Sequence, residues 1–148
     1  MQQLKNVLEL MKIGEKLKME MRHSWLSNGR RESVAEHTWS TSLLAMAIAP
    51  YLPQKVNLEK LLKMVIIHDL VEAYARDIPA FYTMDDEAMR ALKLQNETEA
   101  IEKVRDLLGD ENGQQFYELW FEFENKETYE AKVVNALDKL EAQIQQNW

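Results

Sequence analysis

Apolar positions along the chain recur at three- and four-residue spacing, the period of helices that bury one face. Between about Gln3 and Lys18 the stripe is Val7, Leu8, Met11 and Leu17, which predicts a first helix. The following stretch, MRHSWLSNGRR, has no such period and reads as a loop. Ser33-Val34-Ala35-Glu36 then has the S-x-x-E form of a capping box, in which each end satisfies an open backbone donor of the other. It opens a second helix that carries Leu43, Leu44, Met46, Ala47 and Ile48 and closes near Pro50 and Pro53. Asn57 caps a third helix through LEKLLKMVIIHDLVEAYA. Asp77-Ile78-Pro79 breaks it, because a residue before proline is pushed out of the helical region. Further helices are predicted from about Asp86 to Leu108, Gln114 to Glu124, and Thr128 to the end, with Gly109 stopping the first of them.

Composition agrees with that pattern. Only 3 prolines and 4 glycines interrupt 148 residues, and straight-chain helix formers dominate. The expected fold is all-α, a compact bundle of about six helices. No repeat, linker or low-complexity tract is visible, so residues 1–148 read as a single domain.

Charge and cysteine content narrow the function. A net charge of -7 argues against a non-specific binder of duplex nucleic acid. Arg22, Arg30 and Arg31 form a local cationic island in this acidic chain. With no cysteine, disulfides, thiolate metal sites and cysteine nucleophiles are all excluded, which fits a reducing cytoplasm. No apolar run reaches the roughly 18 residues of a membrane span, so no membrane partner is expected.

Candidate chemistry gathers around two of the three histidines. His68-Asp69 ends the apolar run Met64–Ile67, and an unpaired carboxylate buried there would be costly. Glu72 follows His68 by four residues and Asp69 by three, so on one continuous helix all three share a side. Asp77 follows just past the expected helix end. His37 lies in the first turn of the second helix, and Asp138 shares a stripe with Val134 and Glu141 in the last. Taken singly, each has a structural reading as a core pair, a packed imidazole or a solvent-edge carboxylate. Together, His37, His68, Asp69 and Asp138 offer two imidazoles and two carboxylates on three helices. Such mixed donors suit one divalent transition ion (Co, Mn, Zn, Fe or Ni) better than an all-oxygen magnesium site. Four ligands also leave positions open for water and substrate, as a hydrolytic centre requires.

The pattern of a histidine, a distant His-Asp doublet and a later aspartate resembles the HD-domain phosphohydrolase superfamily. Within it, ESVAEHTW at Glu32–Trp39 and HDLVEAYARDIP at His68–Pro79 resemble the 5'-deoxynucleotidase branch, the YfbR-like proteins. The resemblance runs from Arg22 to Asp138 and implies that His37, His68, Asp69 and Asp138 hold the metal. It implies catalytic roles for Glu72 and Asp77, in activating water and handling the leaving oxygen, with the division between them open. Arg22 corresponds to the family's phosphate-binding arginine. The implied activity is release of phosphate from (deoxy)nucleoside 5'-monophosphates by a cytoplasmic homodimer.

Two departures stand out. Arg76 occupies the position before Asp77 where the branch often has glycine, and family members usually continue into further helices beyond the point where this chain ends. The chain is therefore read as a short form or as lacking C-terminal helices. Hydrolysis of cyclic nucleotides or guanosine polyphosphates on the same metal site is the enzymatic alternative. A metal-stabilised helical interaction module without turnover is the alternative of another class, and it leaves Glu72, Asp77 and Arg22 without a task. Trp120-Phe121-Glu122-Phe123 is a candidate for the core or for a subunit interface.

Overall fold

Six α-helices and one small hairpin make up the computed structural model, which describes residues 1–74 and 87–148. The helices are α1 (Gln2–Met19), α2 (Val34–Ile48), α3 (Leu58–His68), α4 (Glu87–Leu108), α5 (Asp110–Asn125) and α6 (Tyr129–Gln146). Short 3-10 turns cover Ala49–Tyr51 and Leu70–Ala73. The all-α expectation holds, and local sequence sets most boundaries. Ser33 Oγ accepts the Glu36 amide at 3.2 Å while the Ser33 amide donates to Glu36 Oε1 at 2.8 Å, completing the capping box of α2. Asn57 caps α3 through the Lys60 amide at 3.1 Å, and Thr128 caps α6 through the Ala131 amide at 3.2 Å.

Helix α3 packs against α2, α5 and α6. Its Leu61, Met64 and Val65 are fully buried, joined in the core by Val71, Ile101, Val104, Trp120 and Val134. Helices α4 and α5 approach closely at Gly113, where an added Cβ would sit 2.2 Å from the Arg105 carbonyl oxygen. Helix α5 begins at Asp110 and not, as the sequence predicts, at about Gln114, so Gly113 is an approach point inside the helix.

Three other expectations change. Helix α1 turns Leu10, Ile13 and Leu17 toward the core, while Val7, Leu8 and Met11 of the predicted stripe remain exposed. The predicted loop is an antiparallel hairpin, β1 (Met21–Trp25) with β2 (Arg31–Ser33). Its turn is built on Gly29 at φ 88° and on the Asn28 side chain, which accepts the Arg30 amide at 3.0 Å. Helix α3 stops at His68, where Asp69 adopts φ -100°, ψ 0°, and a 3-10 turn continues the chain. Glu72 therefore lies on a turn of tighter period than the continuous helix predicted. The break expected at Asp77-Ile78-Pro79 falls outside the described residues.

The aromatic run of α5 belongs to the core. Trp120 is fully buried and Phe123 nearly so. The Trp120 indole nitrogen has no hydrogen-bond partner among the described residues. Trp120→Ala should cost about 3–5 kcal/mol by cavity formation. Trp120→Phe should cost much less, because it keeps most of the ring and removes an unsatisfied donor. Urea unfolding of both variants checks this, and equal losses would mean that the indole N–H contributes stability.

Candidate metal centre

The capping box starts α2 at Ser33, which puts His37 one residue beyond the cap's glutamate and turns it inward, with no exposed surface. His68 is the last residue of α3, Asp69 is its cap, and Asp138 projects from the middle of α6. One donor atom from each of these four residues lies within 4.8 Å of all the others. His37 Nε2 is 2.6 Å from Asp138 Oδ1, His68 Nε2 is 3.1 Å from the same oxygen, and His68 Nε2 is 3.4 Å from Asp69 Oδ2. Two imidazole nitrogens and two carboxylates at this spacing form a donor set that fits a divalent transition ion. The sequence-derived quartet is brought together in full.

The far nitrogen of each ring is also held. His68 Nδ1 donates to the Val65 carbonyl at 2.5 Å, and His37 Nδ1 meets Glu141 Oε2. With the Nδ1 atoms engaged, both Nε2 atoms face the shared centre. Burial opposes charge on His37, yet its bonds to Asp138 and Glu141 outweigh that and hold the imidazolium up to about 9. His68 is likewise raised to about 9: burial lowers it, but Asp69 and Asp138 raise it further. Burial also works against the Asp138 charge, and the two imidazoles still keep that carboxyl well below the usual range.

The other sequence-derived residues divide. Glu72 is absent from the converging donor set and lines a neighbouring cleft of about 460 Å³ with Lys16, Met19, Glu20, Ala73 and Tyr74. Asp77 and Arg76 lie outside the described residues. Arg22 is on a strand rather than in a loop, with its Nε 3.4 Å from Glu32 Oε1. Glu32 in turn has a carboxylate oxygen within 4.8 Å of a His37 nitrogen, which puts Arg22 on the His37 side of the centre. Arg30 is paired with Glu36 at 2.6 Å, and Arg31 donates to the Arg22 carbonyl at 2.9 and 3.1 Å. Arg30 and Arg31 thus brace the hairpin and α2.

Sequence reasoning passed over Glu32 and Glu141, both nearly or fully buried, whose carboxylate oxygens lie within 4.8 Å of each other and of a His37 nitrogen. Burial, then the nearby Glu141 charge, pushes the Glu32 carboxyl up. A signal existed: Glu141 follows Asp138 by three residues on one helix face, in a stripe otherwise supplied by Val134 and Leu137.

This helical scaffold, with its histidines and aspartates converging on one point, defines a metal-dependent hydrolase architecture, and the chain belongs to the HD-domain family, whose model matches residues 14–148. A protein named 5'-deoxynucleotidase HDDC2 from Danio rerio is 35% identical over 143 residues, covering 95% of this chain and 68% of that relative. The Dictyostelium discoideum protein of the same name is 31% identical over 149 residues, covering 96% of this chain and 76% of its own. Among solved structures, a protein from Magnetospirillum magnetotacticum named as a predicted metal-dependent phosphohydrolase superposes with a TM-score of 0.83 at 30% identity, covering 97% of this chain and 70% of that one.

The raised imidazole pKa values fix a pH dependence for the metal-free chain. Both groups rise from 6.5 to about 9, so their stabilising contribution is fully present below about 6.5 and is lost as pH rises through about 9. Urea midpoints of chelator-treated protein should fall across that window, and metal affinity should rise across it as the competing protons leave. A flat midpoint from pH 6.5 to 9 would contradict a charged His37–His68 pair.

Proposed function

We propose that this protein is a metal-dependent 5'-nucleotidase that releases phosphate from deoxynucleoside 5'-monophosphates, with His37, His68, Asp69 and Asp138 as its metal ligands. The observation that carries the reading is the convergence of these four donors within 4.8 Å. The family membership and the 5'-deoxynucleotidase relatives support the substrate class. His37, His68, Asp69 and Asp138 would hold a divalent transition ion, which would supply Lewis-acid chemistry toward a phosphoryl oxygen and water.

The chain's own groups do the rest. Arg22 holds the phosphate: its Nε lies 3.4 Å from Glu32 Oε1 as an ion pair without a hydrogen bond, and the two terminal nitrogens of a partly exposed guanidinium can grip a phosphate as a fork. Water oxygen bonds to phosphorus, the bond from phosphorus to the 5' oxygen breaks, and the leaving oxygen takes a proton. Of Glu72 and Asp77, one accepts the proton from water and the other delivers one to the leaving oxygen. The protein works in this reading as a homodimer in the cytoplasm. No helix among the described residues is long and apolar enough to cross a membrane, and the exposed stripe of Trp39, Leu43 and Met46 on α2 supports a pairing surface.

Phosphate release from a panel of nucleotides, with cobalt, manganese or zinc supplied, tests the activity. Asp69→Ala should remove both metal and turnover, and full metal occupancy in that variant would refute the ligand set. Glu72→Ala should keep the metal and lose most turnover; a loss confined to metal affinity would make Glu72 a ligand instead.

Arg22→Lys tests the phosphate grip. Lysine keeps the charge that balances buried Glu32 but loses the planar fork. kcat/KM at saturating metal should fall at least tenfold, with metal content unchanged. An unchanged kcat/KM would move the phosphate contact to another cation.

A further inference from the structure

We infer that Glu141 is a positioning residue of the metal centre: its carboxylate accepts a hydrogen bond from Nδ1–H of His37, keeps the proton on that nitrogen and so leaves Nε2 as the metal-binding nitrogen. The inference rests on the metal reading above and extends it to a residue that plays no part there.

A neutral imidazole has one protonated and one bare nitrogen, and the partner of the first decides which one is free for a metal. His37 has a side chain against each nitrogen, Glu141 Oε2 at Nδ1 and Asp138 Oδ1 at Nε2, 2.6 Å away. Both partners come from α6, three residues apart, so the ring is gripped by one face of one helix. His37 has no exposed surface and Glu141 only 5%, leaving little room for water to take over either contact. The buried Glu141 carboxylate requires a donor. The side-chain nitrogen against its Oε2 is His37 Nδ1, which is therefore its donor.

The two histidines are therefore oriented by unlike acceptors. His68 donates its Nδ1–H hydrogen bond to a neutral backbone carbonyl, that of Val65, which no side-chain substitution removes. His37 depends on a charged side chain. A carboxylate acceptor makes the ring a more basic ligand than a carbonyl does, and its loss typically weakens metal binding by 10–100-fold.

The experiment measures zinc dissociation constants of the full chain by competition with a chelator, for wild type, Glu141→Gln, Glu141→Leu and His68→Ala. Imidazole nitrogen NMR of the zinc-loaded forms reports the state of each ring. The wild type should show His37 with zinc on Nε2 and a slowly exchanging proton on Nδ1. Glu141→Gln should weaken zinc binding about tenfold and Glu141→Leu by more, and both should speed Nδ1 proton exchange at His37 while leaving His68 unchanged. Glu141→Gln is close in shape to the original, so it carries the test if the leucine variant fails to fold. Wild-type zinc affinity and exchange in a folded Glu141 variant would overturn the inference, as would zinc on Nδ1 in the wild type. Failure of the metal reading itself looks different: the wild type would then bind zinc no more tightly than His68→Ala.

Discussion

Burying His37 with a carboxylate on each side is the constraint around which the rest of the molecule is arranged. Charged groups out of water are tolerable only in mutual contact. His37 on α2 and Asp138 with Glu141 on α6 satisfy one another, and His68 at the end of α3 shares the Asp138 oxygen. Three helices are thereby tied at a polar point inside an otherwise apolar bundle. The 3-10 turn after His68 follows from the same point, because Asp69 must leave the helical path to bring its carboxylate beside the histidine.

The centre is built in two layers of charge. Inside are the four donors that fit a transition ion. Behind His37 lie the buried Glu141 and Glu32, and beyond them the partly exposed Arg22 on the hairpin. This arrangement gives the hairpin a purpose beyond closing the connection between α1 and α2. It carries an arginine to the edge of the centre and anchors it with a buried carboxylate, while Arg30 and Arg31 fasten the strands to α2 and to each other. In the proposed reading a bound cation would take over the electrostatic task that protons perform in the metal-free chain, so stability and metal binding would draw on the same residues.

Much of this was legible in the sequence, for identifiable reasons. Helix starts announced themselves through Ser33, Asn57 and Thr128, whose side chains bond locally to their own helices. The four side chains that converge could be picked out because packing alone does not account for a His-Asp doublet at the end of an apolar run. The hairpin was hidden because its strands are short and polar, with no alternation to betray a buried face, although Asn28-Gly29 is a turn dipeptide. The inner face of α1 was misjudged because its apolar residues lie all around the helix, so spacing alone does not choose between Leu10 and Leu8. Glu141 is visible in the sequence only as a member of the Asp138 stripe, without a role, and only the position of His37 across the bundle makes it an inward partner.

In the proposed centre, one divalent ion sits among His37, His68, Asp69 and Asp138, with Glu141 and Glu32 behind it. Anomalous diffraction from crystals of the manganese-loaded protein tests this most directly, because it locates the ion without assuming its ligands. The expected result is a single strong peak within bonding distance of both Nε2 atoms and of Asp69 and Asp138. A peak between Glu32, Glu141 and His37 Nδ1, or no ordered peak near these residues, would contradict it.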